Sequence, residues 1–493
     1  MFKKAGFILL AGLLLLTACE REKSILGPMH AMDIFRDANL QKVIAQSLGK
    51  REQDLTFGDI KRLSRLYILE SGITDLTGIG HCINLEYLYI SKNYIENLSP
   101  LSELRSLKSL YITESSIRDI SVLSNLENLK ALDLQNNKIS IISPLANLHQ
   151  LETLNLGDNN IENIQPLSSL VNLKELMLWK NQISDISSLS GLTHLNKLCL
   201  QYNSISSIPD FSMLQLLEYL DLTGNQIIDL NGLSGLTNIK NIYLQNNKIS
   251  SITGIESLHQ LTNLHLHYNQ ITDITPIAGL TNLREIGFME NKISDISPLS
   301  NLNELEMAYL GQNKIIDLSP LSSLSNINGL SLWANKFNDI SPLSNLVSLT
   351  YVDLRQDRIT DLSAIRNLIN LTNLQLDNNY ISNLEPISEL VNLTSLNISY
   401  NRLVDISSLS GLVNLRQLEL YNNKIEYISP LRNMQQLFWL DVRKNKITDL
   451  TSLCENPGMN ENDILEINNN PLSDTAINEQ IPALRERGVH VYY

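Results

Sequence analysis

The chain has 493 residues, and its formal net charge of -14 arises from 52 acidic and 38 basic residues. No run of Lys or Arg interrupts this acidic balance, so nucleic acid is excluded as an expected partner. The length alone would suggest about three domains. A fixed period that runs through most of the chain instead predicts one repetitive structure built by stacking.

The first 18 residues have the pattern of an export signal. Lys3 and Lys4 form a basic start, and an apolar run follows over residues 5–16. The tetrapeptide LTAC at 16–19 resembles the lipobox of bacterial lipoproteins, which implies that Cys19 becomes a lipidated N-terminus. The alternative is an ordinary secretory signal with a chance cysteine. We therefore predict a signal peptide at 1–18, a polar tether at 19–34 and an envelope location outside the cytoplasm, with the lipid as the one membrane contact.

Two short helices are predicted before the repeats begin. Asp37 can cap a helix that runs to about Leu48, and Gly49 can end it. Thr56, with Asp59 three residues later, forms a variant of the capping box and begins a second helix. We expect residues 35–62 to form a helical N-terminal cap that covers the apolar end of the first repeat.

A 22-residue repeat occupies residues 63–450. The stretch LKALDLQNNKI at 129–139 returns 22 residues later as LETLNLGDNNI. Such an L-x-x-L-x-L-x-x-N pattern with a period of 20 to 29 residues is the signature of leucine-rich repeats. With Asn137 as the marker, the equivalent positions are Ser71, Asn93, Ser115, Asn137, Asn159, Asn181, Asn203, Asn225, Asn247, Asn269, Asn291, Asn313, Asn335, Asp357, Asn379, Asn401, Asn423 and Asn445, and Asn470 follows after three extra residues.

The period changes inside each repeat. Leu132 and Leu134 alternate with polar residues, as in a half-buried strand, whereas Ile139, Ile142 and Leu145 are spaced by three, which favours 3₁₀ or extended turns. The predicted fold is an α/β-class leucine-rich-repeat solenoid with a curved parallel sheet on its concave face and 3₁₀ or extended turns on its convex face. Residues 451–493 are expected to add a terminal repeat and a C-terminal cap.

The marker asparagines have a structural interpretation. Stacked amides can satisfy buried backbone groups at the turn that follows each strand. We call this stack of marker side chains the ladder. Its members are expected to bond more weakly where the marker is not Asn, at Ser71, Ser115 and Asp357, although these side chains can still form hydrogen bonds.

Several segments resemble the internalins. The cap pattern F-x-D-x-N-L-x-x-x-I-x-x-x-L-G-K at 35–50 is followed by I-x-D-L-x-G-I at 73–79, and repeats end as ISDISPL does at 293–299. The resemblance covers roughly residues 35–450. The resemblance implies a non-enzymatic surface protein that binds a protein ligand, for example on a host cell. It therefore implies a role in adhesion.

The strand face is defined here as the positions six, four and two before each marker, which point away from the core. With its rim, one place before the marker, it holds 15 of the 20 Tyr and Trp residues. Tyr is also a good strand residue, which would explain the tyrosines without a ligand. Strand preference explains three tryptophans on a polar surface less well. Protein interfaces, in contrast, are enriched in Tyr, Trp and Arg.

These positions supply the candidate ligand-binding residues. The order aromatic, acid, base occurs on two strands four repeats apart. Further carboxylates on this face, among them Asp377 and Glu419, favour a partner with a basic or mixed surface. The predicted ligand-binding residues are Trp179, Trp333, Trp439, Tyr219, Tyr243, Tyr309, Tyr351, Asp353, Arg355, Tyr421, Asp441 and Arg443.

Other chemistry has little support in the sequence. His265 and His267 could begin a metal site, but no third ligand is evident, and two polar surface residues are the favoured interpretation. No catalytic set converges, so we expect neither an enzyme nor a cofactor. An envelope structural protein and a glycan-binding module remain as alternatives to the protein-binding hypothesis.

Overall fold

The computed structural model describes residues 30–493, so the predicted signal peptide, Cys19 and most of the tether lie outside the described residues. The chain forms two compact units, one that ends at Gln182 and one from Ile183 to Tyr493. Each unit is described by itself.

The N-terminal unit begins with the two predicted helices, α1 (Ala38–Ser47) and α2 (Phe57–Arg62). Asp37 caps α1 by accepting the N–H groups of Asn39 and Leu40 at 2.9 and 3.2 Å. Its second carboxylate oxygen accepts the N–H of Thr74 at 2.9 Å, which ties the cap to the first repeat. Thr56 begins α2 with a complete capping box, because both reciprocal hydrogen bonds are present.

Parallel strands recur once per repeat in both units. Strands in the N-terminal unit pair with an offset of 22 residues, as in Leu132 opposite Leu154. They are β1 (Arg65–Leu69), β2 (Tyr87–Ser91), β3 (Ser109–Thr113), β4 (Ala131–Asp133), β5 (Thr153–Asn155) and β6 (Glu175–Met177).

The second unit also consists of parallel strands, one in each repeat. Its strands are β7 (Lys197–Cys199), β8 (Tyr219–Asp221), β9 (Asn241–Tyr243), β10 (Asn263–His265), β11 (Glu285–Gly287), β12 (Met307–Tyr309), β13 (Gly329–Ser331), β14 (Tyr351–Asp353), β15 (Asn373–Gln375), β16 (Ser395–Asn397), β17 (Gln417–Glu419), β18 (Trp439–Asp441), β19 (Ile464–Glu466) and β20 (His490–Tyr492). Helix α3 (Thr451–Cys454), a π-helical turn (Ala476–Gln480) and α4 (Ile481–Glu486) precede β20, which pairs parallel to β19.

The interior of each repeat is apolar, and its return side is made of 3₁₀ turns. Leu132 and Leu134 are buried while the strand residues beside them are partly exposed. After the marker, Ile139, Ile142 and Leu145 are also buried, and the 3₁₀ turn Ser143–Leu145 lies among them. The predicted leucine-rich-repeat fold is confirmed, and so is the change from strand to 3₁₀ turns within a repeat.

The marker asparagines form the predicted ladder. In a representative rung, the Oδ1 of Asn313 accepts the N–H of Ile293 at 2.9 Å. Its Nδ2 donates to the carbonyls of Phe288 and Leu310 at 2.8 and 3.0 Å. One amide thus satisfies backbone groups of two consecutive repeats, which explains why Asn is favoured at this position.

Asp357 departs from this pattern in a specific way. It is fully buried, and its Oδ1 accepts the N–H of Asn335 at 2.6 Å. Its Oδ2 has no hydrogen-bond partner. Burial raises the pKa of this carboxyl to about 8, since a charged carboxylate is poorly solvated there. The backbone is also unusual, because both Gln356 and Arg358 have positive φ.

The residue before the marker adopts a left-handed conformation. Asn136, with φ of 56°, and Tyr202, also with φ of 56°, are typical, and Gly224 is a glycine at this position. A non-glycine residue in this region carries a steric cost of about 1 kcal/mol. The hydrogen bonds of the marker amide offset this steric cost, because the turn directs the amide toward the backbone groups of the ladder.

A second asparagine ladder stabilises the return side of the repeats, at a position where many repeats carry Asn. Thirteen residues after the marker, the Nδ2 of Asn370 donates to the carbonyl of Val347 at 2.9 Å. The Nδ2 of Asn392 donates to Ile369 at 2.8 Å in the same way. Each such amide is exposed and bonds the preceding repeat, so adjacent repeats are hydrogen-bonded on both sides.

No disulfide links the cysteines in the part of the chain that the structure describes. Cys82 is buried in the core, and burial raises the pKa of its thiol to about 12. Cys199 is buried and Cys454 is partly exposed. Within residues 30–493, no helix has the length and apolar character needed to cross a membrane.

Candidate ligand-binding face

Aromatic side chains cluster on the strand face of the N-terminal unit. The ring centroids of Tyr67 and Tyr87 are 5.2 Å apart, and those of Tyr87 and Tyr111 are 5.3 Å apart. Tyr89 joins the group at 5.8 Å from Tyr111. The parallel register pairs Tyr67 with Tyr89 and Tyr89 with Tyr111, and Tyr87 lies diagonally between Tyr67 and Tyr111.

Trp179 lies over a glycine of the preceding repeat. A Cβ at Gly157 would be 2.2 Å from the Cε2 of Trp179, so only glycine leaves room for the ring. The indole is half-buried as a result. Lys180 adds a cation 5.6 Å from the ring centroid.

The second unit repeats this arrangement at Trp333. A Cβ at Gly311 would lie 2.2 Å from the Nε1 of Trp333. In both cases the glycine and the tryptophan occupy the position two before the marker in consecutive repeats. These two glycines are not among the predicted binding residues, although the 22-residue offset between Gly and Trp is visible in the sequence.

An aromatic row connects the middle strands of the second unit. The centroids of Tyr219 and Tyr243 are 5.3 Å apart, and Tyr243 stacks on His265 at 5.1 Å with an interplanar angle of 11°. His267 follows His265 at 5.5 Å and meets Tyr309 edge-on at 6.1 Å. The two histidines therefore link the tyrosines on either side.

The interpretation of His265 and His267 as polar surface residues is wrong. Their exposed fractions are 8% and 9% because neighbouring rings cover them. Burial lowers the pKa of both, that of His267 to about 4, so neutral rings are favoured. The Nε2 of His265 lies 3.4 Å from Glu285. Within residues 30–493, no group of three or more His, Cys, Asp or Glu side chains is placed to hold a metal ion.

Two Arg–Asp pairs organise the C-terminal part of the strand face. Asp353 is 1% exposed, and both its oxygens accept hydrogen bonds from Arg355, at 2.8 Å from Nε and 2.7 Å from Nη2. This bidentate contact holds Arg355 with its Cζ 5.8 Å from the ring centroid of Trp333. Tyr351 lies on the same strand, and burial raises its pKa to about 12.

The second pair repeats this geometry. Asp441 is 3% exposed and accepts the Nε and Nη2 of Arg443 at 3.0 and 2.6 Å. The Cζ of Arg443 lies 5.0 Å from the ring centroid of Tyr421. Trp439 is half-buried on the same strand.

The structure divides the predicted binding residues into two groups. Asp353 and Asp441 are inaccessible and hold the guanidinium groups above them in place. The remaining candidates are partly exposed on the strand face of their own units, Trp179 in the N-terminal unit and the others in the second unit. Shared register explains this placement, but it does not bring the candidates into one compact cavity.

Comparisons with known proteins agree with the repeat pattern. A family model described as leucine-rich repeats in two copies matches residues 83–125, 127–169, 215–257, 259–301 and 391–433, and a second leucine-rich-repeat model matches 171–227. Together they match somewhat more than half of the chain. The chain belongs to the leucine-rich-repeat proteins. These models indicate no catalytic family.

Similar solved structures of leucine-rich-repeat proteins include an internalin, InlF, from Listeria monocytogenes. It is 32% identical, with 80% of this chain and 98% of that chain covered and a TM-score of 0.46. A leucine-rich-repeat protein of Leptospira interrogans is 23% identical, with 89% and 97% covered and a TM-score of 0.59. The chain is internalin-like. No curated protein matches it.

A more distant similarity extends to plants. The plant peptide hormone receptor RGFR1, solved in complex with RGF2, is 19% identical, with 87% of this chain and 89% of that chain covered and a TM-score of 0.57. Identity at this level establishes a shared fold.

Proposed function

We propose that this leucine-rich-repeat protein is a lipid-anchored protein of the bacterial cell envelope whose strand face binds a protein ligand, in internalin-like adhesion. The observation that carries the proposal is the fixed cluster of Trp333, Arg355 and Asp353. Gly311 leaves room for the Trp333 ring on the strand face. The bidentate ion pair with Asp353 holds the guanidinium group of Arg355 beside that ring.

Such a cluster suits binding because its side chains are ordered before a ligand arrives. The few residues that contribute most of the binding free energy at protein interfaces are enriched in Trp, Tyr and Arg. An immobilised side chain costs about 0.5–1.5 kcal/mol of entropy on binding, and that cost is reduced where the free protein already holds the group. The plant receptor solved with RGF2 offers a precedent for ligand binding by this fold.

The proposal is tested by replacing Trp179, Trp333 and Trp439 with Ala together. Surface-displayed protein is crosslinked to host or bacterial surface proteins, and the captured ligand is identified and quantified. Three interface tryptophans at more than 1 kcal/mol each predict a loss of affinity of about 100-fold or more. Circular dichroism and thermal unfolding check that the variant remains folded.

A matched control removes three exposed apolar side chains from the return side of the repeats. Ile316, Val404 and Tyr427 are 65%, 55% and 77% exposed. Their joint replacement by Ala should leave capture unchanged. Equal capture by the wild type, the tryptophan variant and this control would exclude the strand face as the binding surface.

A glycan is the second candidate ligand. The partly exposed indoles of Trp179 and Trp333 lie over glycines, which suits stacking on a sugar ring. Binding on a glycan array that is lost in the tryptophan variant, without protein capture, would favour this alternative. Retention in an envelope complex that is independent of the strand face would favour a structural role.

A further inference from the structure

One exposed position of the repeats in the second unit is basic, although the chain as a whole is acidic. It directly follows the marker, and from residue 292 onward most repeats carry an exposed Lys or Arg there. We call these residues the basic row: Lys292, Lys314, Lys336, Arg402, Lys424 and Lys446. The two other positions in this stretch hold Tyr380 and Arg358, whose φ of 64° sets its backbone apart.

Side chains at this position contact those of the neighbouring repeat. The Nζ of Lys292 donates to the Oε1 of Gln270 at 3.5 Å. The Cζ of Arg402 lies 4.3 Å from the ring centroid of Tyr380. Each contact joins equivalent positions 22 residues apart. Successive members of the basic row are therefore neighbours across the stacked repeats.

The repeat fold uses the backbone of this position and does not require a basic side chain. The N–H of Lys314 donates to the carbonyl of Ile293 at 2.8 Å, and the N–H of Lys336 donates to Ile315 at 2.9 Å. Ser204 makes the equivalent backbone bond at 2.8 Å. Because serine serves the fold equally well, the lysines need an explanation other than folding.

The cations of the basic row have few carboxylate partners. Among residues 30–493, Lys446 is the one member of the row that is ion-paired, with Glu426 at 3.6 Å. Aspartates three residues further along the repeat do not pair with the row. The carboxylate of Asp317, for example, accepts the backbone N–H of Ser319 at 2.8 Å. Like charges on adjacent repeats, about 4.8 Å apart, repel one another, so a bound polyanion would stabilise the row.

The width of the basic row favours a single linear chain of anions. Exposed aspartates such as Asp295 and Asp317 run beside the row. A membrane surface or a nucleic-acid duplex is wider than one residue and would bring its own anions against these carboxylates. A nucleic-acid single strand binds through aromatic stacking as well as charge, but Tyr380 is the one aromatic residue at this position in the second unit, and Arg402 lies over its ring.

We propose that the basic row is a binding site for a linear sulfated polysaccharide, which lies across the stacked repeats with its sulfate groups at successive cations. Exposed Lys and Arg side chains provide charged hydrogen-bond donors for sulfate oxygens. The row occupies a different repeat position from Trp179, Trp333 and Trp439, so the inference does not rest on the proposed function. Binding releases counterions from the polyanion and therefore weakens as salt is added.

Heparin is the probe for this site. Isothermal titration compares heparin with fully desulfated heparin, an oligouridine RNA and phosphatidylglycerol vesicles at 150 mM NaCl. The protein carries Cys19→Ala throughout, so that a lipid chain cannot anchor it to vesicles. We expect heparin to bind at least about tenfold more tightly than the other three probes, and to lose about tenfold or more in affinity between 50 and 300 mM NaCl.

Variants locate the binding at the basic row. Joint replacement of Lys292, Lys314 and Lys336 by Gln should weaken heparin binding about tenfold or more, whereas their replacement by Arg should preserve it. The matched control replaces by Gln three exposed lysines of the N-terminal unit that are ion-paired with glutamates, namely Lys108, Lys130 and Lys174. This control changes the net charge equally and should bind heparin as the parent protein does. Thermal unfolding checks that each variant is folded.

The opposite results would overturn the site. Equal loss of heparin affinity in the row variant and the control would show attraction to net charge alone. Equal binding of heparin and its desulfated form would contradict recognition of sulfate, and tighter binding of RNA or vesicles would assign the row to nucleic acid or a membrane. The tryptophan variant should bind heparin normally, and failure of the site would leave the capture experiment to decide the proposed function separately.

Discussion

At the scale of single residues, Asp357 shows how one atom changes a rung of the ladder. An asparagine at this position donates from Nδ2 to carbonyls of two repeats, as Asn313 does. An ionised aspartate has no donor and places a negative oxygen in the same environment. A protonated carboxyl can donate, so the fully buried Asp357 is suited to remaining neutral in the folded chain.

Asp357 therefore makes stability depend on pH. Its folded pKa of about 8 lies above the ordinary 3.8, so its contribution is complete below pH 4 and is lost as pH rises to about 8. We expect Asp357→Asn to raise the free energy of unfolding at pH 8 by roughly 1–3 kcal/mol and to flatten the pH profile. Urea unfolding at pH 5 and pH 8.5 measures both effects.

An exposed aspartate serves as the control for this prediction. Asp317 accepts the backbone N–H of Ser319 at 2.8 Å, and that bond lowers its pKa. Asp317→Asn should therefore not raise stability at pH 8. If Asp357→Asn lowers stability at both pH values, the interpretation of Asp357 as a protonated rung is wrong.

At the scale of the repeat element, the left-handed conformation before each marker determines which residue types can stand there without strain. Gly224 has φ of 69°, and an added Cβ would lie 2.6 Å from the Tyr202 ring. Gly224→Ala should lower the free energy of unfolding by more than about 1 kcal/mol, because backbone strain and the contact with Tyr202 both oppose it. Chemical unfolding of the two proteins provides the measurement.

Gly191→Ala provides a matched comparison in the same unit. An added Cβ at Gly191 meets nothing within 4 Å. This change should be neutral or stabilise the chain by about 0.4–1 kcal/mol through the unfolded state. Equal losses of stability in both variants would mean that the left-handed backbone is not the reason for glycine at 224.

The elements also show which features can be predicted from sequence. The strands, the 3₁₀ turns and the marker ladder follow from the period of Leu, Ile and Asn, because each depends on residue type at a fixed place in the repeat. The burial of His265 does not follow, since it depends on the Tyr243 ring of another repeat. The burial of Asp353 beneath Arg355 likewise depends on how two side chains meet.

At the scale of the whole molecule, attachment to the membrane is proposed to depend on Cys19. We expect the wild-type protein made in bacteria to incorporate radiolabelled palmitate and to enter the detergent phase of Triton X-114. Each buried CH₂ of a lipid chain contributes about 0.8 kcal/mol to membrane association. Cys19→Ala should lose the label and move to the aqueous phase, whereas Cys454→Ala should behave as the wild type does. Detergent partitioning by Cys19→Ala would contradict lipid anchoring at this residue.

The glycines beneath Trp179 and Trp333 restrict how the face of this protein can change over generations. A tryptophan two places before a marker fits where the preceding repeat has glycine, because a Cβ at Gly157 or Gly311 would lie within 2.2 Å of the indole. A new tryptophan at this position elsewhere would therefore require two substitutions, with glycine arising first. The strand face can therefore gain such a tryptophan through two mutations. The change to glycine comes first because it makes the space that the indole then fills.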